Sequence, residues 1–462
     1  FLVGAFILLY YSQGDLDFTR LSDLVAPGGA LSNPANAGTI TLICLLFFAG
    51  ACGKSAQLPL HIWLPDAMAG PTPVSALIHA ATMVTAGDYL MARMNFLFAA
   101  SPTCMSIIAI VGGSTALFAA SIALVQNDIK KVLAYSTVSQ LGFMVLAIGV
   151  GGFVAAVFHL MTHAFFKACL FLGSGSVIHA LHHEQDIRKM GGLRKQLPVT
   201  AGTFFVSCLA IAGIFPFAGF FSKDEILFVA FTSQHAGNAP MLIAFVLGVL
   251  AAFCTAFYMF RLYYLTFEGE FRGDHHALEH AHEERVMNGP LLVLAFLAVF
   301  GGWLGAPAVF HVPHLLHEWL HPVFAGGMAH FTYSHDHSLE WILMGTSLAV
   351  AVTGWMIARR VYKRPASELP VAPVEAGWHR LLTNKWYVDE FYEAVVIRPL
   401  HASAGWLYRK VDVALIDGVL VLGPARLIRR ASELIRKVQN GDVQTYVAAV
   451  LVGCAILLVF VN

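Results

Sequence analysis

Seven ionisable side chains stand where an apolar chain would ordinarily carry none. Lys54 closes a run of apolar and small residues that begins at Thr39, and His79 lies in the middle of Pro73–Met91. His159, His163 and Lys167 interrupt the apolar stretch 153–181, and Lys223 and Asp224 follow Phe217-Ala218-Gly219-Phe220-Phe221-Ser222. A charge at bilayer depth is expensive, so each of these residues is a functional candidate. Histidine exchanges protons near neutrality. A buried lysine can be switched between ammonium and amine by a neighbouring charge. His159, His163 and Lys167 recur at i, i+4, i+8 and therefore share one helix face. Lysines and histidines at such spacing, bridged by water, would relay protons across a membrane. Lys130 joins the candidates at a helix start beside Lys131, where plain interfacial anchoring is the alternative for both. The corresponding alternatives are snorkelling for Lys223 and hydrogen-bonded packing for His79.

Other chemistries fit less well. His159 and His163 could share a zinc or copper ion, but no Cys or acid stands beside them and Lys167 on the same face would repel it. His275, His276, His280 and His282 cluster with acids in Gly273–Arg285, where His280 and Glu284 have ligand spacing; loose spacing favours a solvated, pH-sensitive loop. The seven cysteines are scattered singly through apolar stretches and read as small packing residues. There is no GxGxxG after a strand, no Walker sequence and no nucleophile elbow. The chain thus offers no redox centre or energy source of its own, and a partner must drive any pumping.

The elements that must hold these residues are membrane helices. Of 462 residues, 58% are hydrophobic and 12% charged, against about a quarter charged in soluble domains, and the mean hydropathy is +0.69. The zero formal net charge points to no nucleic-acid partner. Apolar segments predict a tail at 1–11 and spans near 39–66, 71–93, 103–126, 129–150, 153–181, 198–232, 240–268, 288–308, 338–361 and 443–461. The chain opens on Phe1 in what reads as a helix already under way, with no signal peptide, which is the pattern of an N-terminally truncated fragment. Asp128–Lys131, Arg188–Lys195, Arg261–Arg285 and Arg359–Arg364 are separated by pairs of spans, so all four basic stretches fall on one side, the cytoplasmic one by the positive-inside rule. Leu58-Pro59-Leu60 and Ile214-Phe215-Pro216 predict helices broken at membrane depth, which are tolerated where they are buried in protein or line a wet cavity.

Residues 378–440 are too charged to span. Trp386, Phe391, Tyr392, Val395 and Leu400 alternate with Asp389, Glu390, Glu393 and Arg398, as in an amphipathic surface helix. Pro399 and Pro424 predict bends or interruptions in it. The fold class is therefore all-α: a polytopic transmembrane helix bundle with broken helices and a long amphipathic surface helix. Its parts are the tail 1–11, a helix core 39–268, a His-rich loop with accessory helices 269–361, the lateral helix 378–440 and a final anchor 443–461.

Long stretches resemble the antiporter-like membrane subunits of respiratory complex I. They are Gly53-Lys54-Ser55-Ala56-Gln57-Leu58-Pro59-Leu60-His61-Ile62-Trp63-Leu64-Pro65-Asp66 continuing through Val84, Gln126-Asn127-Asp128-Ile129-Lys130-Lys131, His159-Leu160-Met161-Thr162-His163-Ala164-Phe165-Phe166-Lys167, and Phe217–Asp224. His182-His183-Glu184-Gln185-Asp186-Ile187, Met190-Gly191-Gly192-Leu193 and the surface helix followed by one span are similar to the distal member of that set. The resemblance implies a proton channel driven by quinone reduction elsewhere. No cofactor is implied in this chain, while partner subunits would carry FMN and iron-sulfur clusters. Other antiporter-like membrane-arm subunits are the implied partners, and a bacterial inner membrane the location. By position, Lys54 would be the pump lysine of a broken helix and His79, His159 and His163 relay residues. Lys167 would lie on the central axis, Lys130 would link, Lys223 with Asp224 would face the exit, and the surface helix would brace its neighbours. Two departures stand out: the family's glutamate partner of Lys54 lies upstream of Phe1, and Asp88 occupies a position usually small and apolar. A multi-subunit cation/proton antiporter or a membrane-bound hydrogenase is the related alternative, and proton versus sodium stays open.

Overall fold

The computed structural model describes residues 1–15, 17–233, 238–310, 312–333, 336–369 and 377–461. The elements used below are α1 (Leu2–Tyr11), α2 (Ala37–Lys54), α3 (Thr72–Ala80), α4 (Ala86–Arg93), α5 (Pro102–Ala123), α6 (Ile129–Gly149), α7 (Phe153–Ala180), α8 (Pro198–Ala212), α9 (Ala218–Thr232), α10 (Asn238–Phe267), α11 (Arg285–Phe300), α12 (Leu315–Met328), α13 (His337–Tyr362) and α14 (Val443–Val461). Among the described residues, eight helices are long and apolar enough to cross a bilayer. The predicted spans 71–93 and 198–232 are each divided into two shorter helices, α3/α4 and α8/α9. The contacts divide the chain into two units, Phe1–Trp386 and Tyr387–Asn462.

The first unit is organised around α6, whose apolar residues are all buried. Its tightest neighbour is α5, and glycine is what permits the approach. A β-carbon on Gly142 would stand 2.5 Å from the Ala116 nitrogen, and one on Gly112 would stand 2.3 Å from the Leu146 nitrogen. Small residues drive such helix pairs in membranes because no hydrophobic force separates helix from lipid.

One face of this unit collects the basic stretches. The Arg261 guanidinium donates to the Gln126 carbonyl and to Asn127 Oδ1, and lies 5.7 Å from the Tyr362 ring. Arg272 donates to the carbonyls of Arg188 and Ile187, and Asp128 bridges to Asp186. The four basic stretches therefore share one face, as the charge pattern predicts. At the opposite face the Tyr333 hydroxyl donates to the Gly151 carbonyl, and Asn95 bonds Val323 and Gly327 of the 306–333 segment.

Three helix breaks lie between the two faces. Two fall at the predicted prolines, between Lys54 and Trp63 and between Ala212 and Ala218. The third was not anticipated: the expected span 71–93 is two half-helices, α3 and α4. No proline or glycine interrupts residues 81–85. Instead, the Thr82 hydroxyl takes the Leu77 carbonyl and the Thr85 hydroxyl takes those of Ala81 and Thr82, so side chains stand in for the helical ladder.

The second unit differs from expectation in two ways. The expected helix from 378 is divided into a short helix, Gly377–Thr383, and the surface helix proper from Val388, because Lys385, Trp386 and Tyr387 take positive φ values. From there it stays helical to Arg436, without the interruptions expected at Pro399 and Pro424. Wide π-helical turns, Glu393–Ile397 and Tyr408–Val421, absorb the missing N–H and the ring clash of each proline.

Replacing Gly142 by leucine forces α5 and α6 apart. The expected cost is about 1–3 kcal/mol or more, read as a lower thermal midpoint of the solubilised protein, with Gly142→Ala intermediate.

Candidate functional site

Each break frees carbonyl oxygens in the last turn of the helix before it, and at each break a side chain takes one of them. At the first break the Trp63 indole donates to the Gly53 carbonyl at 3.0 Å. At the second, His163 Nδ1 lies 2.9 Å from the Ala80 carbonyl. At the third, the Lys223 ammonium donates to the Ile211 carbonyl at 2.7 Å and rests 5.0 Å from the centre of the Phe143 ring.

Around these anchors runs a file of buried polar groups. Lys130 starts it near the basic face, its ammonium donating to the Met68 and Gly70 carbonyls. Deeper, the Lys167 ammonium donates to the Leu133 carbonyl of α6 at 2.9 Å and lies 5.7 Å from the Phe171 ring. His79 flanks the same Phe171 ring, with centroids 6.3 Å apart. The rings of His163 and His159 are 6.4 Å apart on α7. His159 Nδ1 then meets the Ser222 hydroxyl at 3.0 Å, one residue before Lys223. Thr162 completes that junction at 2.8 Å from Ser222 Oγ. His159, His163, Lys167, Lys223 and Asp224 are all buried, and His79 and Lys130 nearly so.

Several atoms along the file are buried without a partner among the described residues. They are His79 Nδ1, His159 Nε2, His163 Nε2, Asp224 Oδ1 and both side-chain polar atoms of Gln140. Buried polar atoms in native proteins are satisfied by protein or by ordered water. Seven of the eight candidates are buried within the first unit.

Lys54 is the exception. It was expected at the buried centre of the broken helix, but its side chain is exposed. It lines a groove of about 560 Å³ with Arg93, Phe18 and Tyr89. Lys54 shares its helix face with the buried Ile43, Phe47 and Ala51, but as the last residue of α2 it opens on the groove between α1 and α4. Asp88 is buried near that groove, with neither carboxylate oxygen partnered among the described residues.

The sequence reading missed Ser222, Thr162, Gln140 and the Phe143 and Phe171 rings. It also missed a group near the opposite face, where His314 Nε2 lies 3.8 Å from Glu225 Oε2. Burial favours the neutral form of His314, but contact with Glu225 raises it overall above its ordinary value, whereas burial and His314 itself lower His317. The signal available was His314, His317 and His321 on one amphipathic segment. In the His-rich loop, His282 Nε2 lies 3.3 Å from Glu284, and the His280 carbonyl and Glu284 raise its titration.

A polytopic helix bundle with broken helices and a file of buried lysines and histidines is the architecture of a membrane ion translocator. Residues 1–251 match the model of the proton-antiporter membrane family described as NADH:quinone oxidoreductase/Mrp antiporter. The chain belongs to that family. It is 43% identical to NAD(P)H-quinone oxidoreductase chain 5 of a Picosynechococcus species, over 97% of this chain and 69% of the relative. It is 41% identical to NADH-quinone oxidoreductase subunit L of Rickettsia bellii, over 96% and 68%. Among solved structures it is similar to the Mrp complex of a Dietzia species, with TM-score 0.64 and 26% identity, covering 93% of this chain and 45% of that one.

Substituting Trp63 by phenylalanine strands the Gly53 carbonyl at membrane depth. The loss is expected at about 1–3 kcal/mol, seen as a lower unfolding temperature relative to wild type in the same detergent.

Proposed function

We propose that this chain is a proton-translocating membrane-arm subunit of an NADH:quinone oxidoreductase in a bacterial inner membrane, driven by redox chemistry in partner subunits that carry FMN and iron-sulfur clusters. What supports the reading is a row of buried groups: the Lys130, Lys167 and Lys223 ammoniums, each on backbone carbonyls, and between the last two the rings of His163 and His159 with Ser222. Structural helices have no use for two buried lysines that, among the described residues, make no ion pair with a carboxylate. A charge that moves between such groups, however, needs them to hold and surrender protons.

The roles follow from position. Lys130 takes protons from the basic, cytoplasmic face. Lys167 is the central carrier, flanked by His79 and by His163, whose Nδ1 is held by the Ala80 carbonyl so that Nε2 faces the path. His159, fixed by Ser222, passes the proton towards Lys223 and Asp224. Lys54 acts from the groove between α1 and α4, where the family resemblance implies a glutamate opposite it. A carrier alternating between amine and ammonium beside aromatic rings keeps its charge tolerable through the ring faces.

The test uses the intact complex in vesicles, following NADH-driven lumen acidification and electron transfer together. Lys167→Met is expected to lower protons moved per NADH several-fold with assembly intact, and Lys54→Ala to lower both pumping and coupled turnover. Wild-type pumping by assembled Lys167→Met complex would make the buried lysine structural and remove the relay.

A further inference from the structure

Beside the outer end of the buried file lies a cavity of about 430 Å³ that the relay itself does not use. Lys223 and Asp224 are consecutive on α9, so their side chains leave the helix about 100° apart. Lys223 turns inward to Ile211 and Phe143, whereas Asp224 lines the cavity and keeps one buried oxygen, Oδ1, without a partner among the described residues. Glu225 lines the same cavity, and His314 Nε2 faces its Oε2 at 3.8 Å.

We propose that this cavity is the outward proton-release vestibule, with Glu225 as the acceptor of the Asp224 proton and His314 as the residue that positions it. The inference rests on the proton-relay reading above and names the groups that finish it. In the transfer, the O–H bond of the Asp224 carboxylic acid breaks and an O–H bond forms on Glu225. Glu225 then gives the proton to water in the cavity, and Asp224 is left as a carboxylate ready for the next proton from the file.

The tautomer of His314 follows from its second contact. Its Nδ1 accepts the backbone N–H of His317 at 3.1 Å, capping α12, so the neutral ring carries its proton on Nε2, towards Glu225. That N–H faces Glu225 Oε2 at 3.8 Å and orients the carboxylate in the cavity. The remaining titratable groups lead outward along two elements. On α12, His317 stands 5.4 Å from His314 and His321 5.9 Å from His317, with Glu318 between them and His321 exposed. On α13, Glu340 lines the cavity near Asp224, Ser347 neighbours Asp224, and exposed His337 reaches Glu340 at 3.4 Å. Tyr333 closes the rim through its bond to the Gly151 carbonyl.

The experiment reconstitutes the whole complex so that the lumen receives the protons, and measures protons delivered per NADH across a series of lumen pH values. Glu225→Gln is expected to lower delivery several-fold, and Glu225→Asp, which keeps the carboxylate, to restore most of it. His314→Leu removes the ring that faces Glu225 Oε2, so the lumen-pH profile of delivery should differ from that of wild type. Lys223→Met serves as the reference. If it stops delivery while Glu225→Gln and His314→Leu match wild type in yield and pH profile, the vestibule is overturned and the relay survives. Wild-type delivery by Lys223→Met would overturn the relay itself. Failure of Glu225→Asp to exceed Glu225→Gln would overturn Glu225 as acceptor.

Discussion

A helix that breaks at membrane depth releases carbonyl oxygens that must find donors inside the protein or in buried water. Here that constraint is met three times, by Trp63 on Gly53, His163 on Ala80 and Lys223 on Ile211. Two of the three donors are titratable, so the repair of the backbone and the placement of the proton carriers are the same set of bonds. Without the breaks, a lysine at position 223 would face a closed helical ladder with no free acceptor. Without the titratable donors, the freed carbonyls would destabilise the half-helices. The glycine contact between α5 and α6 matters for the same reason, because α6 supplies the Leu133 carbonyl that holds Lys167.

The file is shaped by dipoles and ring faces more than by ion pairs. Among the described residues, neither Lys167 nor Lys223 has a carboxylate within salt-bridge distance; each is held by one carbonyl and one aromatic face. Such holders are weaker than a buried ion pair, which locks both charges and is costly to separate. A carrier needs the weaker kind of hold. At the outer end the arrangement changes to carboxylates and histidines, groups suited to exchange with solution.

Much of this was legible in the residues. Periodicity and length anticipated the eight long apolar helices, and the prolines at 59 and 216 marked two breaks. The i, i+4, i+8 spacing placed His159, His163 and Lys167 on one face. The third break was not legible because Thr82 and Thr85 act through local hydroxyl bonds that leave no trace in hydropathy. The continuity of the surface helix was also hidden, since a π-helical turn can carry a proline that a regular helix would reject. Lys54 shows the limit of apolar context as a burial signal: the run before it is a span, but Lys54 itself ends the helix and opens on a groove. Ser222 was invisible for a different reason, being a small hydroxyl whose role arises only when α7 and α9 meet.

The central claim is that lysines inside the membrane change protonation as the machine turns over. Turnover-induced infrared difference spectra of the intact complex carrying isotope-labelled lysine test it most directly. The account predicts an amine/ammonium band change that loses a component in Lys167→Met and another in Lys223→Met. Spectra without any lysine component, in complex that pumps normally, would contradict it.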